Sequence, residues 1–352
     1  MSAPRTASRR RHRLAARALA VAVLLPLAAC GEEAAESTDA GAATGGAADS
    51  AFPVTIEHAL GTTEVTEEPE RVVTWGWGST DAAIALGVVP VAIPTQSYGG
   101  DEEGVLPWVR ERLEEDGAEL PELLPDQTEA PVEAIAAADP DLILAPYSGL
   151  TEGEYELLSQ IAPTVAYPEE PWATPWRETI EIVGEALGRD EQAANLLADI
   201  EEQVAAQAEA HPELAGLTVA AVWPAPESFS VYKPADARVD FLLDLGMESA
   251  PSVAELGDGE GETFYYTLSP ERLGELTSDV LVAYSDTEAG MEEFLSGPQG
   301  QLMEQVRTGA VAQVVGQQLI AAVSPPTALS LTWGLEEYVA ALSAAAEAAA
   351  GA

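Results

Sequence analysis

An α/β architecture of two lobes with parallel sheets, joined by one long helix, is what this sequence of 352 residues predicts, and three observations predict it. Short β-branched or apolar runs alternate with helical segments from Arg71 to Ala166, the order that builds a parallel sheet. The alternation restarts at Leu217. Between the two blocks, Trp176 to about Ala210 holds no proline and repeats Ile180, Val183, Leu187, Leu196, Leu197 and Ile200 at roughly helical spacing, with Gly188 as a place where the helix could break.

The first element, residues 1–29, carries Arg5, Arg9, Arg10, Arg11, Arg13 and Arg17 without an acid and then runs apolar from Ala18 to Ala29. That pattern is a secretory signal, too short to span a bilayer, which takes about 20 apolar residues. Leu27-Ala28-Ala29-Cys30-Gly31 resembles a bacterial lipobox, at which a peptidase cuts and Cys30 is acylated. The alternative is a stray buried thiol, but Cys30 is the only cysteine and has no disulfide partner. Arg9-Arg10 after Ser8 leaves twin-arginine export open beside Sec export. Six of the fifteen basic residues and none of the sixty acids lie in this leader, so the mature chain has nine against sixty, a net charge of −51. Nucleic acid is thereby excluded as a partner. Anionic lipid headgroups are repelled too, so acyl chains on Cys30 would hold the protein at the outer face of the cell membrane. Lys233 is the one lysine, and with abundant Ala, Gly, Pro and Arg this is a high-GC composition that points to an actinobacterial source.

Residues 30–51 are small and polar, too poor in apolar surface to order themselves, and form a linker with an average span of ~25 Å. Roughly 300 residues remain, more than one core usually holds. Residues 52–172 form the first lobe, with strands at 71–74, 88–93, 141–145 and 164–166 and helices at 80–86, capped by Ser79, 130–138 and 152–161. Residues 173–211 are the interlobe helix. Residues 212–352 form the second lobe, with strands at 217–223, 279–284 and 319–323 and helices at 238–245 and 270–276.

Six segments carry a resemblance: EEPERVVTWGWGSTDAAIALGVVPVAI (67–93), PVEAIAAADPDLILA (131–145), YELLSQIAPTVAY (155–167), WRETIEIVGEALGR (176–189), LSPERLGELTSDVLVAYSD (268–286) and ALSLTWGLEEYVAAL (328–342). In order and spacing they resemble the periplasmic binding proteins of iron-siderophore and cobalamin ABC importers. The resemblance implies the class III fold of that family, with two Rossmann-like lobes and a rigid helix between them. It also implies an extracytoplasmic lipoprotein that acts as a monomer, delivers a ferric siderophore to a permease dimer and uses no cofactor, the iron entering only as part of the ligand. Two surface glutamates of the family dock on the permease, and by motif they fall on Glu133 in Pro131-Val132-Glu133-Ala134-Ile135 and Glu271 in Ser269-Pro270-Glu271-Arg272-Leu273. An acid in the first turn of a helix also stabilises the helix dipole, which is the bland reading of both.

Ligands of two-lobed α/β binders lie beyond the carboxyl ends of the strands, and aromatics concentrate in the loops there. Trp75 and Trp77 follow the first strand, Tyr98 the second and Tyr147 the third, while Trp172 enters the long helix. In the second lobe Trp223 ends a strand, Tyr232 and Arg238 follow it, and Tyr284 ends another. Tyr265 stands where the family often places a ligand-facing aromatic. Each ring taken singly is ordinary core material, as Trp333 is expected to be. Only Lys233 and Arg238 supply positive charge in a candidate cleft loop, too little for a trianionic tris-catecholate. A neutral or cationic ferric hydroxamate such as a ferrioxamine is favoured, with Arg238 on the iron-bound oxygens.

An enzyme is not expected. His58 and His211 are the mature chain's histidines and read as surface or loop residues, and no nucleophile elbow, phosphate loop or zinc motif occurs. A bare zinc or manganese site lacks histidines, so no metal ligands are assigned. Cobalamin or haem binding, with Tyr98, Tyr147 or Tyr284 as a haem ligand, and a non-transport surface lipoprotein stay open.

Overall fold

The computed structural model describes residues 51–225, 228–257 and 264–351. The leader, Cys30 and nearly all of the linker lie outside the described residues. A hairpin of β1 (Val54–His58) and β2 (Gly61–Val65) opens the body. There follow β3 (Val72–Thr74), α1 (Ser79–Ala85), β4 (Ala92–Pro94), α2 (Pro107–Asp116), β5 (Glu122–Leu124), α3 (Val132–Ala137), β6 (Leu142–Leu144), α4 (Glu152–Leu158) and β7 (Thr164–Val165). Their sheet is wholly parallel in the order β5-β4-β3-β6-β7. Successive crossovers run one way from β3 through β4 to β5 and the other way through β6 to β7, which puts the topological switch point between β3 and β6, where ligands of such sheets bind.

Helices α5 (Trp176–Ala186) and α6 (Asp190–Ala210) lead to the second lobe. The expected long helix is thus two, broken at Gly188, whose φ of +64° suits glycine and where a Cβ would stand 2.7 Å from the Phe52 ring.

The second lobe contains β8 (Thr218–Ala225), β9 (Ser228–Tyr232), α7 (Ala237–Asp244), β10 (Glu248–Ser249), α8 (Pro251–Gly257), β11 (Tyr265–Thr267), β12 (Val280–Ser285), α9 (Glu288–Ser296), α10 (Glu304–Thr308), β13 (Val311–Val315), α11 (Gln317–Val323) and α12 (Ser330–Gly351). Its sheet runs β11-β9-β8-β12-β13, with β10 beside β8. Strands β8, β12 and β13 are parallel, and β9 folds back antiparallel on β8.

Several boundaries depart from expectation. Residues 319–323 form most of α11, not a strand, and the strand is β13; a short apolar run reads alike for a buried strand and a buried helix, and Leu319 to Val323 are all buried. Gly78, with φ +75°, is the N-cap of α1, and Ser79 is already inside it. Pro270–Glu275 winds as a 3₁₀ helix. His58, expected at the surface, is buried at the end of β1, where its Nε2 lies 3.0 Å from Thr63 Oγ1. Burial holds its imidazole below the ordinary histidine value.

The lobes also meet away from α5. Trp108 Nε1 of α2 donates to the buried Asp81 carboxylate at 2.6 Å, and Thr327, beyond α11, donates to the same oxygen. The Trp108 and Trp333 rings pack at 5.4 Å.

Candidate ligand-binding cleft

The loops after β3 and β6 lie side by side at the switch point. Trp75 N donates to Leu144 O at 2.8 Å and Trp77 N to Tyr147 O at 3.0 Å. The approach requires Gly76, since a Cβ there would stand 2.2 Å from Tyr147 O. These bonds present Tyr147 to the cleft. Trp172 is positioned from the same loop: its N donates to Ser148 O at 3.0 Å, its φ is +58°, and its indole covers Gly149, where a Cβ would lie 2.2 Å from Nε1. The Tyr147 and Trp172 rings meet edge to face at 5.8 Å.

The facing wall comes from the loop after β9 and the first turn of α7. Asp236 caps α7 by accepting from Arg238 N at 3.0 Å. The cap folds the Arg238 side chain back, so its Nε lies 3.2 Å from Asp236 Oδ1 and its guanidinium carbon 4.0 Å from the centre of the Tyr232 ring. Tyr265 stands directly opposite Tyr232 in the β11–β9 ladder, and their rings meet at 6.5 Å. Between the walls is a cleft of about 460 Å³. Tyr147, Trp172, Trp176, Asp236, Arg238 and Phe264 are prominent in its lining. Outside this lining, Tyr98 OH bridges the lobes by donating to Asp286 Oδ1 at 2.8 Å and is close enough to Arg238 and Tyr232 to interact with both electrostatically.

Burial raises the phenol pKa values of Tyr98, Tyr147 and Tyr232, and the Arg238 charge opposes each rise. All three are therefore neutral hydroxyls at physiological pH. Burial likewise raises the Asp236 carboxyl, against the pull of Arg238. The site offers phenolic donors, one guanidinium and aromatic faces. Among the described residues no group of three His, Cys, Asp or Glu is placed to hold a bare metal ion.

Of the residues singled out in the sequence, Tyr147, Trp172 and Arg238 line this cleft. Tyr232 lies beneath Arg238, and Tyr265 packs on Tyr232. Tyr98 joins the group through its bond to Asp286. Trp77 borders a smaller recess that shares Tyr147, Thr174, Trp176 and Pro325 with the cleft, and its Nε1 donates to Pro325 O at 3.1 Å. Trp75 is elsewhere, buried with Ile135 and Leu158 in the core under α3 and α4. Tyr284 is fully buried, its hydroxyl 3.0 Å from that of Tyr338, and the half-buried Trp223 stacks on Tyr284 with ring centres 6.4 Å apart. Lys233 is turned away, its ammonium 6.0 Å above the Tyr266 ring, on the face opposite Tyr265. Glu133 and Glu271 are exposed in the first turns of α3 and of the 3₁₀ helix. Asp236, Asp240, Phe264 and Pro325, which carry no distinguishing signal in the sequence, also line the cleft.

The profile of the family described as periplasmic binding protein matches residues 72–315. The chain is similar to the Fe(3+) dicitrate-binding periplasmic protein FecB of Escherichia coli, 28% identical over 206 residues, which cover 58% of this chain and 65% of that protein. It is also similar to the ferric enterobactin-binding periplasmic protein FepB of Escherichia coli, 28% identical over 222 residues, or 60% and 66% of the two chains. These matches span just under two thirds of the curated relatives' lengths. Among solved structures, the iron-uptake substrate-binding protein PiaA of Streptococcus pneumoniae in complex with ferrichrome superposes with a TM-score of 0.74 at 33% identity, covering 84% of this chain and 99% of that one. A periplasmic solute binding protein of Mycobacterium smegmatis superposes with a TM-score of 0.73 at 25% identity, with the same coverage.

Proposed function

The chain belongs to the periplasmic binding protein family, and we propose that it captures a ferric siderophore outside the cytoplasm and delivers it to an ABC importer. The observation that carries this reading is the cleft itself: phenols and indoles from both lobes surround one guanidinium, in a chain 33% identical over 84% of its length to a protein solved with ferrichrome. Guanidinium and neutral phenols donate to the oxygens that hold iron, while Trp172 and Phe264 cover the apolar arms of the ligand. Hydroxamates are the favoured class. Cys30 supplies the lipid anchor, residues 30–51 the tether, and Glu133 and Glu271 the contacts with the permease. The protein acts as a binding component and not as an enzyme.

Tryptophan emission of the purified full-length chain, titrated with ferrichrome and with ferrioxamine B, tests the capture step. Saturable quenching at submicromolar ligand is expected, and silence with both would overturn the reading. For delivery, Glu133→Lys together with Glu271→Lys should stop uptake of ferric hydroxamate by cells while the quenching persists. Normal uptake would remove these residues from docking.

A further inference from the structure

Resting on the ferric-siderophore reading, we propose that the cleft sorts its ligands by charge, preferring a complex that bears a protonated amine to a neutral one and excluding anionic ones. Arg238 is the only cation among the described residues that line the cleft. Its charge is already answered by Asp236, 3.2 Å away and buried. One turn further along α7, Asp240 also lines the cleft. The nearest cation to it, Arg177 at 3.9 Å, is shared with Glu201 at 3.1 Å and Asp244 at 2.8 Å, so one guanidinium faces three carboxylates. Outside the lining, Asp286 accepts from the neutral Tyr98 hydroxyl. The described lining thus carries one guanidinium and two carboxylates, and the second carboxylate, Asp240, has only a shared guanidinium at 3.9 Å to answer it.

A second, independent feature favours the same sign. Trp172 and Phe264 are large apolar residues that stay 48% and 37% exposed while lining the cleft. Aromatic faces attract ammonium groups and repel anions. Lys233, which could have offset the carboxylates, lies over Tyr266 on the other face of the sheet. A cleft whose lining carries net negative charge between low-dielectric walls concentrates cations and disfavours anions before any direct contact is made.

Three ferrioxamine complexes that share one iron core and differ at the chain end test this: the free amine, its acetylated neutral form and its succinylated anionic form. Affinity for the full-length chain at low salt should fall about fivefold to tenfold at each step. The spread should collapse near 1 M salt, where the Debye length is about 3 Å. In the Asp240→Asn variant the ratio between the amine and acetylated complexes should shrink to within about twofold. Equal affinities for all three complexes, or tightest binding of the anionic one, would overturn the charge selection and leave the siderophore reading standing. No binding by any of the three would overturn both.

Discussion

Replacing Arg238 with alanine is expected to weaken ferric hydroxamate binding by roughly 30- to 150-fold, the loss of about 2 to 3 kcal/mol that charge-assisted hydrogen bonds to a buried ligand contribute. Arg238→Lys should recover only part of this, because an ammonium supplies neither the planar fork nor the stacking 4.0 Å above Tyr232. The unfolding midpoint of the alanine variant should fall as well, because the buried Asp236 carboxylate loses the guanidinium 3.2 Å away and keeps only its bond from the residue 238 backbone N–H, at 3.0 Å. Isothermal titration beside a thermal melt separates the two effects. Unchanged affinity in the alanine variant would remove Arg238 from the site.

A second large effect is expected at Asp81. Burial pushes its carboxyl up to about 6, against the pull of its bonds from Thr327 and Trp108. An unfolded chain would hold the group near 3.8, so between about pH 4 and 6 the native state binds the additional proton and stability falls as pH rises through that window. Above it the accumulated cost is about 3 kcal/mol. Asp81→Asn keeps an acceptor for both donors and removes the charge, so the variant should lose this segment of the pH profile. Asp81→Ala also removes the charge but leaves the Trp108 and Thr327 donors buried without an acceptor. It should be about 2 to 4 kcal/mol less stable than the asparagine variant. Urea titrations at pH 4.5 and 7.5 read both differences, and equal stability of the two variants would show that the carboxylate does not tie these elements together.

The fold was legible because strand and helix alternate and the lobes are separated by a proline-free stretch, both carried by local periodicity. Where reading failed, the cause is physical. Residues 319–323 form an apolar run equally suited to a buried strand or a buried helix. Asp81 and Thr327 are 246 positions apart and have no local signature. Tyr147, Trp172 and Arg238 were legible as candidates because they sit in or beside loops at strand ends, and they line the cleft. Tyr284 and Trp223 were drawn in by the same rule, yet strand alternation aims them at the face under α7 and α12, where Tyr284 meets Tyr338. Alternation also sends Lys233 to Tyr266, away from Tyr265. Asp236, Asp240 and Asp286 could not be distinguished among sixty acids; only the cap of α7 and the reach of Tyr98 across the lobes give them a place.

Under the proposed function, iron is held between the lobes at Arg238. Anomalous diffraction at the iron edge from crystals of the full-length chain with ferrioxamine B locates the metal directly. The peak should lie in the cleft bordered by Tyr147, Trp172 and Arg238, with ligand oxygens within hydrogen-bonding distance of the guanidinium. A peak elsewhere on the molecule, or ligand in the cleft that makes no contact with Arg238, would contradict it.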